Sequence, residues 1–219
     1  MLYPRKDKVE PGDKIDVSAH REKQWTQIAS DLWSDTNPRN NEARKKGLER
    51  YISFSLAVTR PQSRLALASA LQRLPLEDRW PIAEALIEHG EDAKDHNLPQ
   101  MYWYAIEPLV PANPEKALAL AEKSEIPLVA QHIARRLAES DGGLPHLITA
   151  LGKEKTAAGI VYLLKAALQG LKGRSGETAP KGWDGAWTNI DDALARRPDA
   201  KPLAAEITDL REAVAVAFG

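Results

Sequence analysis

Apolar residues recur three and four positions apart along most of the chain, the spacing that places side chains on one face of a helix. Polar, proline-containing or glycine-containing stretches separate these short runs. No run alternates apolar and polar positions as a half-buried strand would, and no Asn-Gly or Asp-Gly pair joins two such runs. The pattern therefore predicts an all-α protein.

Proline marks the start of most predicted helices, because its missing N–H goes unused in the first helical turn. In Asn113-Pro114-Glu115 a capping side chain, a fixed φ and an acid at the positive helix end coincide. Gly90 and Gly170 with Gly173 are expected to mark helix ends. The prolines expected to open helices are Pro61, Pro81, Pro99, Pro114, Pro127, Pro145 and Pro202.

The predicted helices are short and follow one another in pairs. The pairs begin at intervals close to the ~33–47 residues of helical solenoids. Such a pair is too short to bury its own apolar face, so stacking on the next pair must supply the core. We therefore expect a HEAT-like right-handed α-solenoid of stacked antiparallel helix pairs. The expected pair starts are Glu42, Pro81, Pro114, Pro145 and Asp184.

The domain organisation follows from the same pattern. Residues 1–17 are charged and contain Pro4, Pro11 and Gly12, which predicts an extended or mobile lead-in. Residues 18–219 are predicted to form the helical repeat domain.

Composition narrows the function classes. Lys and Arg number 30 against 31 Asp and Glu, so the chain lacks the basic excess of most nucleic-acid-binding proteins. It contains no cysteine, which excludes thiolate metal ligands and covalent haem attachment within the chain. No apolar run approaches the ~20 residues of a membrane span, and the polar N-terminus does not resemble a signal peptide. A soluble protein without membrane insertion is expected.

The stretch from Asp95 to Val110 is the candidate interaction site. Asn97 or Leu98 is expected to cap a helix there, and Met101, Tyr102, Ala105 and Ile106 are expected to be buried. Trp103 and Glu107 lie one turn apart off this apolar face. Such a helix either packs between neighbours or lines a groove for a partner. The candidate partner-binding residues are His96, Asn97, Trp103, Tyr104 and Glu107.

Catalytic and metal-ligating residues are not predicted. Five metal-capable side chains gather within eight residues, but their spacing matches no defined metal site and favours a solvated charged turn. No glycine-rich phosphate loop occurs. The five side chains are those of His89, Glu91, Asp92, Asp95 and His96.

Several sequence stretches share one family resemblance. The segment from Arg64 to Pro75, followed by Asp78 to Ala83, resembles the HEAT-repeat region of the haem-binding, membrane-bound-dehydrogenase-like proteins of the Planctomycetes–Verrucomicrobia group. The resemblance covers roughly Leu32 to Gly219. Further stretches resemble the same proteins in the same order: 95–99, 103–104, 107–110, 133–137 and 180–183.

The resemblance implies a scaffold without catalysis of its own. In that family a β-propeller associated with dehydrogenase chemistry precedes the repeats, and a cytochrome c domain with a CxxCH motif follows them. The chain would be a protein-interaction segment of a larger haem-containing dehydrogenase, with propeller-type and cytochrome-type domains as partners. The c-type haem is expected only in a C-terminal domain of the parent protein that is missing from this chain. The location would be periplasmic or at the cell surface.

A second interpretation is a HEAT-like DNA glycosylase acting on alkylated bases. Such enzymes are of similar size and carry tryptophans and a carboxylate in a concave groove, as Trp103 and Glu107 could. The near-neutral net charge argues against it. Basic residues that could meet phosphates are Arg39, Arg44, Lys45, Lys46, Arg50, Arg60 and Arg64.

Overall fold

The computed structural model describes residues 58–174 and 178–218, together with 48, 49, 52, 53 and 55. The predicted lead-in and its boundary near residue 18 lie outside the described residues. Across the part of the chain that is described, helices connected by short turns account for the structure and no strand is present. The all-α prediction is confirmed for these residues.

The first helices are α1 (Pro61–Leu71), α2 (Leu76–Ile87) and α3 (Leu98–Ile106). A 3-10 helix, η1 (Gly90–Lys94), lies between α2 and α3. The next helices are α4 (Leu109–Ala112), α5 (Pro114–Lys123), α6 (Pro127–Glu139), α7 (Gly143–Leu151) and α8 (Ala157–Leu171). The last elements are α9 (Trp183–Arg196), the 3-10 helix η2 (Pro198–Leu203) and α10 (Ala204–Phe218).

The helices belong to two compact units. The first unit contains the described residues up to Leu109 and residues 123–129, and the second contains 110–122 and the described residues from Ala130 onward. In the first unit α1, α2 and η1 all pack against α3. In the second unit α8 packs against α7, α10 and η2, while α9 packs against α7. Both units thus bring together helices two places apart in the chain.

Proline predicts helix starts well where it falls in the first turn. Pro61, Pro114 and Pro127 are first residues, and Pro99 is the second residue of α3. Pro81 is an exception, since it lies inside α2, which begins at Leu76. The start at Leu76 is favoured by the fixed φ of the preceding Pro75 and by two acidic residues in the first turn. Of the remaining predicted helix-opening prolines, Pro145 is the third residue of α7 and Pro202 lies within η2.

Two predicted C-terminal glycines have other roles. Gly90 does not cap α2. The C-cap is Glu88, in an ordinary helical conformation, and Gly90 is the first residue of η1. A Cβ at Gly90 would lie 2.6 Å from Oε2 of Glu125. Gly170 lies within α8, where a Cβ would lie 2.4 Å from the Cβ of Ala138. Gly173, with φ of 81°, follows the end of α8 as predicted.

Candidate interaction surface on α3

Asp95 sets the start of α3. Its Oδ1 accepts hydrogen bonds from the backbone N–H groups of Leu98 (2.9 Å) and Asn97 (2.8 Å). These bonds, that from Leu98 foremost, lower the pKa of the Asp95 carboxyl because they stabilise its charged form. Asn97 occupies the residue before the helix but makes no side-chain cap bond. Asn97 is therefore the N-cap residue of α3 by position, as expected, while Asp95 supplies the side-chain acceptor.

The buried face of α3 follows the predicted spacing. Tyr102, Ala105 and Ile106 are buried, whereas Met101 is only half-buried. The helix ends at Ile106, just before the turn that contains Pro108. One face of α3 is therefore fixed in the core of the first unit.

A buried charged cluster anchors this face to α1 and η1. The Arg64 side chain is 1% exposed and that of Asp92 is 2% exposed. Nε of Arg64 donates to Oδ2 of Asp92 at 2.6 Å, and Nη2 donates to Oδ1. The Tyr102 hydroxyl also donates to Oδ2 of Asp92, at 2.6 Å. The two parallel bonds from Arg64 to Asp92 form the bidentate geometry in which arginine binds a carboxylate most strongly.

The electrostatics of the cluster keep Arg64 charged and Tyr102 protonated. Burial opposes the charge on Arg64, but its bonds and attraction to Asp92 raise the pKa of the guanidinium above its ordinary value. Burial, with the hydrogen bond to Asp92, raises the pKa of the Tyr102 phenol well above its ordinary range. Arg64 thus stays charged and Tyr102 stays a donor, which suits an anchor rather than a proton-transfer site.

The predicted partner-binding residues divide into two groups. His96 and Asn97 are exposed, and the Tyr104 side chain is 52% exposed. Trp103 and Glu107 are half-buried, and each is already engaged in an interaction. Asn97 and Tyr104 are seven residues apart, so two helical turns place them on the same face. We define His96, Asn97 and Tyr104 as the α3 surface.

The metal-capable side chains contact different partners. Asp92 binds Arg64, Asp95 accepts the bonds at the start of α3, and Nδ1 of His89 lies 3.1 Å from Oε1 of Glu91. Within residues 58–174, 178–218 and the few described before them, no three metal-capable residues form a group. Sequence reasoning missed the Arg64–Asp92 pair, whose members are 28 residues apart.

The second unit has an aromatic cluster that sequence reasoning did not single out. The Trp183 ring centre lies 5.6 Å from that of Trp187 and 5.2 Å from that of Phe218, both edge to face. The Arg211 guanidinium lies 4.4 Å from the centre of the Trp187 ring, and Nη1 of Arg211 pairs with Asp191. This cluster joins α9 to α10, and the half-buried Trp183 and Trp187 therefore serve in packing.

Comparisons with protein-family models, with curated proteins and with solved structures give no match to this chain. None of the described helices is long and apolar enough to cross a membrane.

Proposed function

We propose that the chain is a non-catalytic helical-repeat scaffold that holds other protein domains. The observation that supports this most is the packing of helices two places apart, α1 on α3, α7 on α9 and α8 on α10. In a HEAT-like solenoid equivalent helices of successive repeats pack in this way. Each packed helix then leaves an outer face available to a partner.

The α3 surface is the proposed contact region. Arg64, Asp92 and Tyr102 hold one side of α3 in the core of the first unit, and Tyr104 lies on the exposed side of the same helix. A half-exposed tyrosine combines a large apolar ring with a polar tip and loses little conformational freedom on binding. Tyrosine is accordingly enriched among residues that dominate the affinity of protein interfaces.

The proposed partners are the propeller-type and cytochrome-type domains of a haem-containing dehydrogenase. A c-type haem is attached through two cysteines, and this chain has none, so its residues do not fit covalent attachment. The haem belongs, in this proposal, to another domain of the parent protein. The scaffold would fix the spacing between the dehydrogenase and the haem domain, at the periplasmic or cell-surface location that the family resemblance implies.

Photo-cross-linking in cells can identify the partner. A photoreactive phenylalanine analogue replaces Tyr104 in the intact protein, and the cross-linked polypeptide is identified by mass spectrometry. The matched control carries the analogue at Tyr162, whose hydroxyl donates to the backbone carbonyl of Ala130 within the second unit. We expect a propeller-type or cytochrome-type domain through residue 104 and none through residue 162. Equal capture at both positions would contradict the proposal.

An assay for base release separates the scaffold from the glycosylase. If the scaffold proposal is right, alkylated duplex DNA should lose no base even at low salt, where phosphate contacts are strongest. Release that disappears in Glu107→Gln would replace the scaffold proposal with an enzymatic one.

A further inference from the structure

The imidazole of His89 lies between two groups that can only accept hydrogen bonds. Nδ1 lies 3.1 Å from Oε1 of Glu91, and Nε2 lies 3.1 Å from the backbone carbonyl oxygen of Ser55. The His89 side chain is 15% exposed, whereas that of Glu91 is 60% exposed. A neutral imidazole carries one N–H and can donate to one of these acceptors, while an imidazolium donates to both.

We propose that His89 is a proton-dependent clasp that links the helical segment at Ser55 to η1. With both nitrogens protonated, the ring bridges Ser55 and Glu91. Loss of one proton leaves a nitrogen lone pair facing an acceptor, so one of the two links is broken. This device goes beyond the proposed scaffold role and does not depend on it.

The surroundings decide which link breaks. Nη1 of Arg64, from α1, lies 3.4 Å from the same Oε1 of Glu91, so this carboxylate keeps a cation when His89 is neutral. Asp92 in η1 is bound to Arg64, and Glu125 approaches the backbone of Gly90 next to His89. Ser55 presents a backbone carbonyl to the ring rather than a charge. Neutral His89 should therefore keep its Nε2–H on Ser55 and lose its proton from Nδ1.

The charge state of Glu91 agrees with this geometry. Although partial burial opposes its charge, its own backbone N–H, the His89 bond and the nearby Arg64 together lower the pKa of Glu91. Glu91 is therefore ionised throughout the range in which imidazoles titrate, and it acts as a fixed acceptor.

Nitrogen NMR of the His89 ring in the full chain tests the tautomer directly. We expect both ring nitrogens protonated at pH 5 and the Nε2–H tautomer above pH 8. The Nδ1–H tautomer above pH 8 would overturn the proposal, because the link to Ser55 would then be the one that breaks.

Hydrogen exchange at the amide of Asp92 in η1, whose N–H donates to the carbonyl oxygen of His89, tests the mechanical consequence after correction for intrinsic exchange rates. Protection should fall roughly tenfold between pH 5 and pH 8 in the wild type, the effect of losing one charge-assisted bond. His89→Gln should abolish this fall, since an amide does not titrate. Glu91→Gln should also abolish it, because an amide N–H can donate to neutral Nδ1. His96→Gln, an exposed histidine in the next turn, should retain it. An unchanged fall in His89→Gln would refute the clasp.

Discussion

The two units differ in what they bury. Among the described residues, the buried charged side chains are those of Arg64, Asp78 and Asp92, all in the first unit. The buried polar side chain of the second unit, over the same described residues, is that of Ser140. Both units are helical and use short helices, so the difference lies in the core chemistry rather than in the secondary structure.

In the second unit, several polar side chains form hydrogen bonds with backbone groups at the helix ends. Nδ2 of Asn189 donates to the carbonyl oxygens of Leu151 (2.8 Å) and Glu154 (3.0 Å), and Nη1 of Arg197 also donates to Glu154. Oδ2 of Asp199 accepts from the N–H of Ala157 at 2.7 Å. These bonds satisfy backbone groups that a helix end leaves without partners. The second unit therefore uses these polar side chains at its helix ends, whereas the first unit has a buried charged pair in addition to its Asp95 cap.

The largest expected effect comes from breaking the buried pair of the first unit. Asp92→Ala leaves the charge of Arg64 buried without its main partner, which should lower the free energy of unfolding by about 3–5 kcal/mol. Denaturant unfolding of the full chain measures this loss. As a control, the combined change Arg64→Met, Asp92→Leu and Tyr102→Phe should recover most of it, since no unpaired charge then remains. A single Asp92→Ala change within about 0.5 kcal/mol of the wild type would show that the cluster does not anchor α3.

The second unit should respond most to a change in packing. In Gly170→Ala the new Cβ would approach the Cβ of Ala138 to 2.4 Å, and overpacking of this kind should cost about 1–3 kcal/mol. Gly185→Ala in α9 is the matched control, because no atom lies within 4 Å of its new Cβ. That change should stabilise the protein by about 0.4–1 kcal/mol, as alanine restricts the unfolded chain. Equal effects of the two substitutions would contradict the close approach of α6 and α8.

A smaller effect is expected from the Asp95 cap, and its sign depends on pH. The folded-state pKa of Asp95 is lowered by its bonds to Leu98 and Asn97, so its stabilisation is present above the unfolded pKa of ~3.9 and is lost as pH falls through the folded value. The melting temperature of Asp95→Ala should therefore lie below that of the wild type at pH 6. The two melting temperatures should converge at pH 2. A difference that grows on acidification would mean that Asp95 does not act as a charged cap.

Local signals in the sequence predicted the helices, and tertiary contacts decided the rest. Proline in a first turn and apolar spacing are properties of a few neighbouring residues, so the starts at Pro114 and Pro127 were predictable. The hydrogen-bonded pair of Arg64 and Asp92 links residues 28 positions apart, and no pattern among neighbouring residues predicts it. Exposure of Tyr104 beside the half-buried Trp103 likewise depends on which helices pack against α3, and spacing along one helix does not specify that.

The most direct test of the scaffold proposal compares binding with stability at Tyr104. Calorimetry should measure the affinity of the full chain for the propeller-type or cytochrome-type domain that residue 104 captures. In Tyr104→Ala the Kd should rise at least about tenfold, the loss expected for an interface tyrosine. The free energy of unfolding should stay within about 0.5 kcal/mol, as for surface changes elsewhere. An unchanged Kd in a folded Tyr104→Ala protein would contradict the account.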